Sequence, residues 1–224
     1  MQIRDYEEID VRLLRATENP LQLIKQATAI TMKKDFETGE GISDNICKNL
    51  YHMNHQSLLE HIGYTFLIVG ASRSFLAQIT RHRISSFTSG SQHYQDYGNY
   101  GFTVNTKDIT EGSIFDMEMM AKACMDLYQR LLSEGLPKEE ARQILPGGME
   151  NNLLWTVNAR SLANFLNLRL CHRNVKEMQI VAWKILSLSI GHFPELFNFV
   201  GPDCFIKECT QKGMSCGTLW TKPL

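Results

Sequence analysis

At 224 residues, with 43% hydrophobic content and a formal net charge of −1, the chain is long enough to bury a substantial core as a single domain. That near-neutral balance excludes the clustered excess of positive charge expected of a nucleic-acid binder. No apolar run reaches bilayer length, and Met1 to Glu8 is too acidic and polar for a signal peptide, so no membrane partner and a cytoplasmic location are the default expectations.

In chain order, Asp10 to Leu14 alternates like a strand, and Pro20 opens a helix through Leu21, Ile24, Ala27 and Thr28. Ser43 or Asp44 caps another helix running toward Met53. Ile62 to Val69 is β-branched and aromatic and is closed by Gly70, which reads as a largely buried strand. Ser72 then caps a helix with Phe75, Leu76 and Ile79 on one side, ending at Arg81-His82-Arg83. Ser85 to Tyr94 reads as a polar turn, and Asp96 to Gly112 as a mobile loop. The clearest helix runs from about Ser113 to Glu134, with Met117, Met120, Cys124, Leu127 and Leu131 on one stripe and Gly135 as its stop. Its methionines are core filler. Pro137 starts a short helix carrying Arg142. Leu153 to Val157 is a strand, followed by a helix carrying Asn164 and Arg169 and a long helix from Val175 to about Ser189. There is no internal repeat and no low-complexity linker. The pattern is α+β in one unit.

Arg81-His82-Arg83, with Ser91 after a further seven residues, is the most informative pattern in the chain. Two guanidiniums flanking an imidazole repel one another and must face either water or an anion. The structural alternative is a solvated basic helix end, where cations complement the negative pole of the helix dipole. The segment that follows is crowded with hydroxyls and includes a glycine, a composition able to offer hydroxyls and backbone N–H groups to a phosphate or a base edge. Taken alone, it is also the composition of an ordinary turn.

With this signature the chain resembles the flavin-dependent thymidylate synthases, which make thymidylate with FAD and without a cysteine nucleophile. Three further blocks match in order: His55-Gln56-Ser57-Leu58-Leu59-Glu60-His61, Ala141-Arg142-Gln143-Ile144-Leu145-Pro146, and Asn158-Ala159-Arg160 through Phe165-Leu166-Asn167-Leu168-Arg169. The matches run from about Thr17 to about Ile190. The resemblance implies an α+β domain spanning 1–224, with a central, mostly antiparallel sheet flanked by helices and a Cys-containing tail from about 201. It also implies a homotetramer with active sites built between subunits. The implied reaction is reductive methylation of dUMP to dTMP, with 5,10-methylenetetrahydrofolate as carbon donor and NADPH-reduced FAD as hydride source.

By the same resemblance Arg169 is catalytic, a fixed cation at the pyrimidine edge that favours the N3-deprotonated ring. FAD is assigned to His55, Ser57, Arg81, His82, Arg83, Ser89, Asn158, Ala159, Arg160 and Asn164. dUMP is assigned to Gln78, Ile79, Thr80, Arg81, Ser89, Gly90, Ser91, Gln92, His93, Arg142 and Arg169. Asn164 lies four residues after Arg160, so the two share a helical face. The structural alternatives are a surface salt bridge for Arg142, an interface histidine for His55 and a helix cap for Asn164.

The chain also departs from the family pattern. His93 stands where an arginine is usual, Ser89 where Glu or Gln is usual, and Asn174-Val175-Lys176-Glu177-Met178 replaces Ala-Gln-Trp-Glu-Ile. Replacing Arg by His removes a permanent charge and a bidentate fork. The departures leave two alternatives open: a paralogue alkylating or hydroxymethylating another pyrimidine nucleotide such as UMP, or a flavin- or nucleotide-binding protein without turnover. Cys171, Cys204, Cys209 and Cys216 are four thiols that zinc could use, yet they lack a Cys-x-x-Cys knuckle, so reduced structural thiols are favoured over a metal site. Cys47 and Cys124 read as core residues.

Overall fold

The computed structural model describes residues 2–91 and 101–222. Its strands and α-helices are β1 (Ile3–Asp5), β2 (Asp10–Ala16), α1 (Pro20–Thr31), α2 (Ile46–His52), β3 (Gly63–Ser72), α3 (Arg73–Ile79), β4 (Ser85–Ser89) and β5 (Phe102–Val104), then α4 (Glu111–Ser133), α5 (Lys138–Ala141), β6 (Glu150–Asn158), α6 (Ala159–Arg169), α7 (Lys176–His192), α8 (Pro194–Phe197) and α9 (Asp203–Ile206). A 3₁₀ turn at Gln56–His61 precedes β3, and another at Arg142–Ile144 follows α5. The fold is α+β. β2, β3, β6 and β4 form a sheet in that order, and β1 pairs in parallel with β5, Ile3 opposite Phe102.

The register shows that β3 and β6 are antiparallel. Ala159 N donates to Ile62 O (2.7 Å), the Thr65 and Thr156 hydroxyls meet at 3.0 Å, and Arg73 N donates to Met149 O (2.9 Å), so one strand descends as the other rises. β4 runs antiparallel to β6 as well: Gly90 N donates to Asn152 O (3.4 Å), and Phe87 stacks on Trp155 with centroids 6.2 Å apart. β3 does not stop at Gly70, as expected from sequence, but continues to Ser72. Gly70 has φ +80°, and a Cβ there would lie 2.6 Å from Arg4 Nε. Glycine lets the strand pass through a backbone conformation that other residues rarely adopt.

The described chain groups into two compact units: Met1–Val11, Leu67–Arg81 and Phe87–Trp155, and Arg12–Phe66, His82–Ser86 and Thr156–Leu224. Two of the boundaries fall inside β3 and β6, so no linker sequence marks them.

In the first unit, α4 packs Ala121, Met125 and Tyr128 against Phe102 and Val104 of β5. This corrects two expectations. The described part of the expected mobile loop contains a buried strand, with Thr103 Oγ1 donating to Gly70 O (2.7 Å), while 96–100 lie outside the described residues. The buried stripe of α4 passes through Ala121 rather than Met120, whose side chain is exposed. Both stripes obey the helical period, but a small residue marks close approach, which a ranking by hydrophobicity overlooks. Gly135 (φ +92°) does end the helix: its N–H donates to Leu132 O and that of Leu136 to Leu131 O, both at 3.0 Å, a Schellman arrangement.

In the second unit, α6 is the central element. Leu162, Phe165 and Leu166 are fully buried, and the helix packs against α7 and against the 3₁₀ turn at Gln56–His61. Asn158 Oδ1 accepts from Ser161 N (2.8 Å) and caps its start. α2 begins two residues later than a cap at Ser43 would set and one later than a cap at Asp44: Asn45 occupies the cap position, and Ser43 Oγ accepts from Asn45 N instead.

Candidate active site

The electrostatic centre of the second unit is a pair formed by His82 and Arg169. α6 carries Arg169 on its last turn, and Arg169 Nε donates to His82 Nε2 at 2.9 Å. Phe165, one turn earlier on the same helix, meets the His82 ring edge-on with centroids 5.0 Å apart. Burial, and then the adjacent guanidinium, pull the His82 imidazole down to about 4. It is therefore neutral near pH 7, as an acceptor at Nε2 requires, which places the ring proton on Nδ1. Burial also lowers Arg169, but an arginine so placed stays charged.

Arg169 lines a cavity of ≈ 480 Å³ together with Asn164, Asn174, Arg173 and the thiol-bearing residues Cys171, Cys204 and Cys209. These cysteines and Cys216 are unbridged, and Cys216 is exposed. Among the described residues no group of three or more His, Cys, Asp or Glu has a metal-holding arrangement. The thiols share a cavity without forming a preorganised zinc site. Cys47 is fully buried and its thiol is pushed up to about 12, mainly by burial, which makes it inert. Cys124 is only half-buried.

The other flavin-assigned residues of this unit lie on neighbouring elements. His55 and Ser57 are exposed at the 3₁₀ turn, Arg83 is exposed after His82, and Asn164 is exposed on α6. Asn164 is mid-helix, so the cap of α6 is Asn158 and not Asn164. Ala159 is fully buried and offers a ligand only its backbone. Arg160 Nη1 donates to Glu60 Oε1 (2.5 Å), an exposed ion pair that ties α6 to the 3₁₀ turn. Ser85 Oγ, three residues after His82, is buried with no hydrogen-bond partner among the described residues. This donor set of hydroxyl, imidazole, carboxamide and guanidinium, with one orphaned buried hydroxyl, fits the phosphates and polar ring edges of a flavin nucleotide.

The nucleotide-assigned residues Gln78, Ile79, Thr80, Arg81, Ser89, Gly90, Ser91 and Arg142 fall in the first unit. Arg81 is exposed and Gln78 half-buried, but Ile79 is fully buried, and Thr80, though exposed, donates its Oγ1 back to Leu76 O (2.8 Å). Among the described residues Arg142 makes no salt bridge; its Nε donates to Glu139 O at 3.1 Å. The expected polar turn at Ser85 is strand β4 as far as Ser89, because Phe87 has Trp155 to stack on. Gln92 and His93 lie outside the described residues.

Sequence reasoning passed over Arg73. Its Nη1 donates to Gly90 O (3.2 Å) and to Asn151 Oδ1 (3.4 Å), anchoring the start of the segment that leads to Ser91. The signal was present: a cation on the first turn of a helix opposes the dipole, so it needs another partner.

Comparison with known proteins agrees with this geometry. The model of the thymidylate synthase complementing protein family matches residues 12–195. A flavin-dependent thymidylate synthase of Geobacter sulfurreducens is 38% identical over 168 residues, covering 74% of this chain and 72% of that one. One from Clostridium tetani is 32% identical, with 93% of each chain covered. Among solved structures, the UMP/dUMP methylase PolB from Streptomyces cacaoi, bound with 5-Br dUMP, superimposes with a TM-score of 0.77 at 26% identity, covering 88% of this chain and 96% of that one. The chain belongs to the flavin-dependent thymidylate synthase family.

Proposed function

We propose that the protein is an FAD-dependent methyltransferase that converts dUMP to dTMP with 5,10-methylenetetrahydrofolate and NADPH, working in the cytoplasm as a homotetramer that shares its active sites between subunits. The observation that carries this reading is Arg169, a charged guanidinium half-buried at the end of α6 and oriented by a neutral imidazole. A pyrimidine loses its N3 proton more readily beside such a cation, and the resulting charge enriches C5 for attack on the one-carbon donor without a covalent thiol. FAD held by His55, Ser57, Arg81, Arg83, Asn158, Arg160 and Asn164 would supply the hydride that reduces the transferred carbon to methyl. Arg142 and Arg81 offer guanidiniums to the nucleotide phosphate, and Ser91 contributes binding rather than nucleophilic attack. No helix among the described residues is long and apolar enough to cross a membrane, which suits a reaction on soluble substrates.

A second reading, methylation of UMP as well as dUMP, is favoured by one observation: the structural relative described above is a UMP/dUMP methylase, and a further structure of it holds 5-Br UMP. One assay separates the readings. Tritium release from C5-labelled dUMP and C5-labelled UMP is followed in parallel with NADPH oxidation. Release from dUMP alone supports thymidylate synthesis, and release from both supports the wider specificity. With release from neither, in protein that has taken up FAD, turnover of these nucleotides is refuted.

A further inference from the structure

We propose that His82, the centre of the Arg-His-Arg triplet, is the positioning residue for Arg169, accepting from its Nε and fixing the plane in which the guanidinium meets the nucleotide. The proposal rests on the catalytic reading of Arg169 above.

Three features of the geometry carry it. The bond is short, 2.9 Å, and uses Nε, the donor nearest the stem; fixing Nε fixes the orientation of the planar group and hence the directions of both Nη groups. The acceptor is an imidazole and not a carboxylate. A carboxylate would hold the guanidinium equally well but would cancel its field, whereas a neutral ring orients the cation without itself opposing its charge. The ring is itself held: Phe165 packs against it edge-on at 5.0 Å and is fully buried in the helix that carries Arg169, so α6 supplies both the guanidinium and the wall that locates its partner. The neutral state of His82 near pH 7 is consistent with this acceptor role.

The arrangement also explains the triplet itself. An imidazole between two arginines is electrostatically unfavourable as a third cation, but not as a neutral acceptor for a third guanidinium that arrives from 87 residues away.

The test compares His82→Phe, which keeps an aromatic ring but removes the acceptor, with His82→Gln, whose carbonyl can accept from Arg169 Nε. For each variant, kcat and KM for dUMP are measured by tritium release at saturating FAD, and the FAD dissociation constant by fluorescence quenching. His82→Phe is expected to lower kcat about 10- to 100-fold, the scale of a small misplacement of a reacting group, with the FAD dissociation constant changed less than about threefold. His82→Gln is expected to recover most of that loss. A readout independent of activity uses flavin-free protein. The ¹⁵N shifts of His82 should report the Nδ1–H tautomer and should move when Arg169 is replaced by Lys, which has no Nε donor in that plane. Weakened FAD binding with unchanged kcat at saturation would make His82 a flavin ligand and overturn the proposal. So would a His82 ring unaffected by Arg169→Lys, a result that stands even if His82→Phe does not fold. Failure of the wild type to release tritium would refute thymidylate synthesis instead, and the NMR measurement would still decide the His82–Arg169 pairing.

Discussion

Protonating His82 should cost the folded protein stability in a defined pH window. The imidazole is pulled from its ordinary 6.5 down to about 4, first by burial and then by Arg169, the charge that acts on it among the described residues. The folded state therefore binds fewer protons than the unfolded chain between those values. The resulting contribution is fully present above about pH 6.5 and is lost as pH falls through about 4. At about 1.4 kcal/mol per pKa unit the whole shift corresponds to about 3 kcal/mol, and solvent screening of a half-buried ring reduces that to about 1–2 kcal/mol. Other groups titrate in the same range, notably carboxylates, so the measurement must be a difference. Urea unfolding of wild type and His82→Gln is followed at pH 7.5, 6, 5 and 4.5, at one protein concentration so that any assembly contributes equally. The stability of wild type relative to His82→Gln should decline by about 1 kcal/mol between pH 7.5 and pH 5. A difference that stays constant with pH would mean that His82 titrates normally, and the buried, guanidinium-facing imidazole described here would be wrong.

Arg169→Ala should lower turnover more than nucleotide affinity and Arg142→Ala the reverse, because one is proposed to stabilise charge that develops during reaction and the other a phosphate already charged; steady-state kinetics with dUMP titration would show a common effect on affinity alone if that division is wrong. Arg81→Ala should leave the purified protein with less bound flavin, read from its visible absorbance, and an undiminished yellow colour would remove Arg81 from the flavin set. Gly70→Ala should destabilise the fold by about 1–3 kcal/mol, since φ is +80° and Arg4, ion-paired to Glu150 at 2.7 Å, occupies the space a Cβ needs; an unchanged urea midpoint would refute this. His93→Arg should bind dUMP more tightly at about pH 8 and flatten the fall in affinity with rising pH that a titrating imidazole produces, whereas superimposable binding curves would show that His93 does not meet the nucleotide.

The strongly periodic elements were legible in sequence, and so were their local stops. Pro20 opens α1, the Ser72 hydroxyl accepts from Phe75 N at 2.9 Å, and Gly135 ends α4, all chemistry confined to a few adjacent residues. What escaped depends on partners distant in the chain. β5 has three residues and exists because Ile3 to Asp5 lie beside it, a pairing across about a hundred positions that no local pattern announces. β4 is built from Ser, Phe and Thr, the composition of a turn, and becomes a strand because β6 offers Trp155 for Phe87 to stack on. The candidate site divides in the same way. The Arg-His-Arg triplet identified His82, but only the fold reveals that its acceptor nitrogen is taken by Arg169. Asn158 is placed in the flavin set by the family pattern, and the structure adds that its carboxamide oxygen caps α6, which leaves its NH₂ group and the oxygen's second lone pair for a ligand.

The departures from the family pattern bear on substrate choice in a way the anchoring of the Ser89 segment makes sharper. Gly90 is held at both backbone groups, its N–H by Asn152 O and its carbonyl by Arg73, while the Asn152 side chain accepts from Gly70 N at 3.2 Å. Asn151, buried and bonded to the same arginine, completes the clamp. The point from which the chain departs toward Ser91 and His93 is thus fixed by β3, α3 and β6, independently of whether position 93 is arginine or histidine. If position 93 meets a ligand, as the family resemblance implies, histidine there would alter the charge and donor geometry offered to it without altering where the segment begins. The same holds for Ser89, a half-buried strand residue whose backbone place is set by β6. If both positions face the nucleotide, a shorter side chain at 89 and histidine at 93 would relax the site by subtraction, removing a long polar group and a permanent cation. Loss of a donor without movement of the frame widens the range of nucleotides accepted more readily than it selects a new one, since selection requires an added group that penalises the wrong sugar or base. On this argument, acceptance of both UMP and dUMP is a more natural consequence of the two substitutions than a switch from one to the other.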